Sequence, residues 1–213
     1  MLKVAVVDSG INAGHSHVGD VAGGLSLVSA EWTDSIGHGT AVAAAIRDHA
    51  PDVALYAVKI FDRSFSTQIA TVVKALEWCA EHKMDVVNLS LGTAKQAHGE
   101  LLEQASRKVN ILVAPYDFVG LPAFPGSYPW VFGVSSDPTC ARDRFCIAGG
   151  VRFLASPMPR TIPGLATSQN FAGPSFAVAN FTGLICRAMK ETNIGAADDL
   201  RQFLLTEQTN SKA

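Results

Sequence analysis

Val4-Ala5-Val6-Val7-Asp8-Ser9-Gly10-Ile11 begins as an unbroken apolar run and stops on an acid followed by two small residues. Apolarity without alternation is what a strand shows when both faces of a parallel sheet are covered. Residues 3–7, 53–60, 85–89, 111–114 and 130–134 all share this character and predict strands. Helical patterns fall between and after them. Residues 40–48 are alanine-rich. Residues 67–82 carry Ile69, Val72, Val73, Leu76 and Ala80 on one stripe, with Ser66 as the expected N-cap. Residues 100–108 repeat the pattern with Leu101, Leu102 and Ala105, and 176–190 and 197–205 close the chain. This alternation predicts an α/β fold, doubly wound, with a mostly parallel sheet flanked by helices and right-handed crossovers. Segments 119–128 and 155–164 carry Pro and Gly and read as surface loops, so residues 1–213 are expected to form one compact domain.

Bulk properties narrow the function. With 48% hydrophobic and 17% charged residues the chain is a globular one. A net charge of −2 and no Lys/Arg cluster argue against a nucleic-acid partner. No apolar stretch approaches the roughly 20 residues that cross a bilayer, so no membrane partner is expected. Met1-Leu2-Lys3 runs straight into the first strand with no signal-peptide core. The expectation is a cytoplasmic protein with neither signal peptide nor pro-domain. Cys79, Cys140, Cys146 and Cys186 have no CxxC spacing. Free thiols are expected, with a Cys140–Cys146 bridge as the alternative in an oxidising compartment, and no metal or other cofactor is expected.

In open α/β sheets, ligands bind beyond the carboxyl ends of the strands. Asp8 lies where the first strand stops. His38 opens a helix in Gly37-His38-Gly39-Thr40-Ala41-Val42-Ala43, and Ser175 opens another in Gly173-Pro174-Ser175-Phe176-Ala177. Acyl transfer needs a hydroxyl, a base to take its proton and a group to fix the base. Each residue alone has a plainer reading: a turn aspartate, a histidine in a tight turn, a serine N-cap. It is their order and placement together that favour chemistry.

The three segments resemble the Asp, His and Ser blocks of the subtilisin-like serine peptidases, in that family's chain order. Asn88-Leu89-Ser90-Leu91-Gly92 is similar to the family strand that lines the primary specificity pocket and pairs with the substrate backbone. Val58-Lys59 and Tyr128-Pro129 also resemble family positions. The similarity runs from Lys3 to about Leu205. It implies an Asp8, His38, Ser175 triad, with Ser175 as nucleophile, His38 as base and then acid, and Asp8 orienting His38. It also implies a peptide or protein substrate held at Ser90, Leu91 and Gly92. The Ser175 backbone N–H, at a helix start, would be an oxyanion donor. His15, His17, His49, His82 and His98 are expected at the surface.

Three departures from the family qualify this. Its oxyanion asparagine falls on Asp117 in Val113-Ala114-Pro115-Tyr116-Asp117-Phe118, or on Phe118 with a one-residue shift, and either way the carboxamide is absent. An ionised carboxylate would repel the developing oxyanion, so Asp117 is expected to turn away or be protonated. Losing one such donor costs about 10²–10³ in rate, a figure known for a subtilisin, and that slows an enzyme without abolishing it. Pro174 replaces the threonine before the nucleophile, and Tyr116 replaces a pocket glycine, with an inward ring expected to exclude large side chains. Finally, only Asp48-His49-Ala50-Pro51-Asp52 joins the histidine helix to the next strand, too little for the calcium loop of calcium-bound relatives. The expected activity is a serine endopeptidase of narrow substrate range. The alternatives are a peptide ligase or macrocyclase, and a pseudopeptidase that binds extended chains by strand addition.

Overall fold

The structure, a computed structural model, describes residues 1–118, 120–150, 152–166 and 169–210. Its main sheet has eight strands: β1 (Lys3–Asp8), β2 (Gly23–Ser26), β3 (Ala54–Lys59), β4 (Val86–Leu89), β5 (Ile111–Pro115), β8 (Phe132–Ser136), β9 (Phe145–Ala148) and β10 (Arg152–Ala155). They run in the order β2-β3-β1-β4-β5-β8-β10-β9, and every pairing is parallel except β10 with β9. A separate hairpin joins β6 (Asp117–Phe118) to β7 (Leu121–Pro122).

Period-2 geometry divides the apolar run of β1 between two cores. Val4 and Val6 pack with α1 (His38–His49) and α4 (Pro174–Thr192) on one face, where α5 (Ala197–Asn210) adds Leu200 and Leu204. Ala5 and Val7 pack with α2 (Ile69–Glu81) and α3 (Gln96–Arg107) on the other. The expected doubly wound α/β architecture is therefore present. From β1 the chain crosses to β3 on one side, and β4 and β5 extend the sheet on the other. The carboxyl ends of β1 and β4 thus flank the point where strand order reverses, the ordinary place for a ligand crevice in such sheets.

Several local expectations need correction. β2, β9 and β10 are absent from the expectation, because these half-buried strands, β2 and β9 at the sheet's edges and β10 beside β9, lack a long apolar run. The strand expected at 130–134 lies at Phe132–Ser136, since Trp130 and Val131 belong to the preceding turn. Ser66 is not a cap: α2 begins at Ile69 after Gln68, which makes no side-chain capping bond. Segment 119–128 is more than a surface loop, although Val119 itself lies outside the described residues. It holds β7, the fully buried Ala123, a bridge from Phe124 to Thr93 and the cis Phe124-Pro125 bond. All four cysteines are free.

Candidate active site

Asp8 ends β1 fully buried. Its carboxylate accepts from the Ser9 N–H at 2.7 Å, and His38 Nδ1 lies 2.8 Å from Oδ1 and 3.0 Å from Oδ2. Two acceptors at Nδ1 assign the proton to that nitrogen, which leaves Nε2 as the basic one. His38 is brought there by the first turn of α1. Only glycine fits at position 39, where a Cβ would collide with the Gly10 carbonyl and press on the Asp8 Cβ at 3.2 Å.

The start of α1 is organised by Asp34, a residue that the reading of the sequence passed over. Its buried carboxylate accepts from Ser9 Oγ (2.8 Å), the N–H groups of Ile36 (2.9 Å), Gly37 (2.8 Å) and Thr40 (2.8 Å), and Thr40 Oγ1 (2.6 Å). Ser9 Oγ in turn accepts from the Gly39 N–H at 2.9 Å. A carboxylate against the free N–H groups of a helix start satisfies both the donors and the dipole. The available signal is an acid three residues before the Gly37-His38-Gly39 turn. The buried Lys59 ammonium donates to the Thr33 carbonyl at 2.9 Å and steadies the same segment.

Burial of the His38 imidazole works to lower its pKa. The hydrogen bond and charge of Asp8, with the charge of Asp34, outweigh that, and the net position is raised above 6.5. Phe65, Phe176 and Phe171 surround the ring, with centroids 5.1, 5.4 and 6.1 Å away.

Ser175 is the second residue of α4, after Gly173 (φ 148°) and Pro174. Phe176 and Ala177 already bond back to the Gly173 carbonyl, whereas the Ser175 N–H stands in the part of the first turn that has no acceptor within the helix. The hydroxyl donates to the Ser90 carbonyl just beyond β4, at 3.1 Å. Phe176, its neighbour in sequence, packs on His38 with ring centroids 5.4 Å apart, which brings the start of α4 close to the start of α1. Ser175 Oγ makes no hydrogen bond to His38 among the described residues. Behind Ser90, Asn88 Nδ2 donates to Ser90 Oγ at 2.8 Å, and Thr182 Oγ1 on α4 donates to Asn88 Oδ1 at 3.0 Å.

Of the residues after β5, Tyr116 departs from the inward ring expected of it, while Asp117 takes one of the two dispositions expected, turning away. Tyr116 does not turn toward Gly92. Its ring lies against Gly133 on β8, with the Arg152 guanidinium 5.4 Å from the ring centroid. Phe118 takes the place by Gly92, where its ring would stand 3.2 Å from an added Cβ, beside Ala123 and the Phe124 carbonyl. Asp117 turns away from that side. It accepts from Ser135 Oγ at 2.9 Å and pairs with Arg152 Nη1 at 3.3 Å. His49 is not a surface residue either: it bonds to Asn180 at 3.1 Å, and burial pushes its pKa down.

Known proteins resemble this chain in sequence and fold. The Subtilase family model (Peptidase_S8) matches residues 1–115, a span that holds Asp8 and His38 but not Ser175. Subtilisin from Bacillus pumilus is 32% identical over 206 residues, covering 85% of this chain and 74% of that protein. Subtilisin E from Bacillus subtilis is 31% identical over the same length, and there the chain spans only 54% of its relative. Among solved structures, a cold adapted subtilisin-like serine proteinase superposes with a TM-score of 0.74 at 20% identity, covering 96% of this chain and 81% of that one. A lanthipeptide protease superposes at 0.73 with 16% identity, over 94% and 78% of the two chains. At those identities the superpositions establish the fold, and the sequence matches establish kinship. The chain belongs to the subtilase family of serine peptidases.

Proposed function

We propose that the protein is a serine endopeptidase that cleaves a peptide or protein through an Asp8-His38-Ser175 triad. The observation that supports this reading is the doubly bonded Asp8–His38 pair at the sheet's switch point, with the His38 ring packed on Phe176, the residue after a serine at the free N-terminus of α4. His38 Nε2 takes the proton of Ser175 as the hydroxyl attacks the substrate carbonyl, and returns it to the leaving amine. Asp8 holds the tautomer and balances the imidazolium charge. The Ser175 N–H and the positive end of α4 face the developing oxyanion.

The acyl side of the substrate runs extended along Ser90, Leu91 and Gly92. Phe118 beside Gly92 narrows the room for a side chain there, which favours a restricted set of sequences. A fluorophosphonate probe tests the reading. Wild type is expected to be modified at Ser175, with no modification in Ser175→Ala. Labelling that persists in Ser175→Ala, or never occurs, would refute it.

A further inference from the structure

The wall of the cleft after β5 holds an ion pair where an anion-stabilising group is needed. Asp117 and Arg152 line a cavity of about 320 Å³ together with Ser135, Ser136 and Pro174, the residue before the nucleophile. Any tetrahedral intermediate on Ser175 places its negative charge at the start of α4, whose first residue, Pro174, lines this cavity. A bare carboxylate there would oppose the reaction.

The fold prevents that on three counts. Ser135, itself buried, donates to Oδ1 and Arg152 Nη1 donates to Oδ2, so the carboxylate is fixed with both oxygens occupied. Arg152 lies over the Tyr116 ring, whose edge packs on Gly133, so the guanidinium is held from below. Its other N–H groups make no hydrogen bond among the described residues, and with 36% of its side chain exposed the cation faces the cavity.

We propose that Arg152 is a positioning residue for the oxyanion: it draws the Asp117 carboxylate back, cancels its charge and presents a cation on the wall where the carboxamide is absent. The inference rests on the serine-peptidase reading and extends it to the chemistry of this wall. A guanidinium suits the task because it stays charged throughout the working pH range and bonds a carboxylate while keeping donors in reserve.

A double-mutant cycle on steady-state kinetics tests it, because the proposal requires a sign that a packing role would not give. Arg152→Met is expected to lower kcat about 10–100-fold with little change in KM, since it frees a charge that acts mainly on the transition state. Asp117→Asn is expected to raise kcat about 3–10-fold, by removing the carboxylate and leaving the cation. Introduced into Asp117→Asn, the Arg152→Met change should cost only about 3–10-fold, the share the unpaired cation supplied and less than its cost in wild type, and Arg152→Lys should recover most of the loss seen with Met. Equal losses from Arg152→Met in both backgrounds would overturn the proposal, as would a wild-type kcat in Arg152→Met. A wild-type chain that neither turns over nor labels at Ser175 would overturn the peptidase reading and this inference with it. Wild-type labelling and turnover with additive losses would overturn the inference alone.

Discussion

Asp8 and Asp117 stand on either side of β4, and the protein holds the two carboxylates by different means. Asp8 ends the central strand, fully buried between β3 and β4, and meets His38 in a region where a second buried acid, Asp34, gathers five donors. Asp117 sits on a two-residue strand of a half-buried hairpin, held by one hydroxyl and one partly exposed arginine. Backbone register fixes the first, since β1 pairs along its whole length with β3 and its side-chain directions follow from the pleat. Side-chain pairing fixes the second, and it can be altered without disturbing the sheet. On the function proposed above, the acid–base half of the site is the rigid half, and the oxyanion half is the one where substitution is expected to tune rate.

The sharpest way to break this contrast is to remove the base. His38→Ala is expected to abolish peptide cleavage, with a loss on the order of 10⁶-fold, the magnitude known for triad members in a subtilisin. Turnover measured with and without the substitution decides it. A loss below about a hundredfold would mean that the buried half does not carry the chemistry.

Asp34 comes next. Asp34→Ala strands the N–H groups at the start of α1 and is expected to cost about 2–4 kcal/mol of stability, read by denaturant melts. It should also lower kcat, because His38 rides on that turn. If Asp34→Ala unfolded no more readily than Arg152→Met, the claim that the two halves differ in rigidity would fail.

The pH dependence separates the halves further. His38 has its pKa raised in the folded protein, so its pairing with Asp8 stabilises the fold in full below about pH 6.5 and is lost as pH climbs through the raised value. Activity needs neutral His38 and rises across that same window. Thermal stability and kcat/KM are thus expected to move in opposite directions with pH, and His38→Gln should flatten the stability slope. Paired melts and rates from pH 5 to 9 check this. An activity limb centred below pH 6.5 would contradict the electrostatic account.

The smallest effect is expected at Phe118. Phe118→Ala should open the space beside Gly92 and lower KM for substrates with a large side chain at the scissile residue by about 3–10-fold, with kcat nearly constant. A panel of peptides differing at that one residue reads the change. Unaltered preference would place the restriction elsewhere on the hairpin.

The sequence alone was enough for the central strands, because residues 3–7 and 85–89 are apolar on both faces and only a covered parallel sheet accommodates that. It also marked Asp8, His38 and Ser175, whose neighbours Gly10, Gly39 and Gly173 are constrained by local backbone geometry that a short motif records. What it left open depended on partners far away in the chain. Asp34 acquires its role from Ser9, Asp117 from Ser135 and Arg152, and Tyr116 from Gly133, contacts that no local pattern encodes. Asp117 and Phe118 are successive residues of β6, so the pleat of the β6–β7 hairpin sends their side chains to opposite faces, Asp117 toward Ser135 and Arg152 and Phe118 toward Gly92. A covered strand or a tight turn is set by its own residues, whereas the orientation of a half-buried side chain is set by whichever neighbour the fold brings within reach.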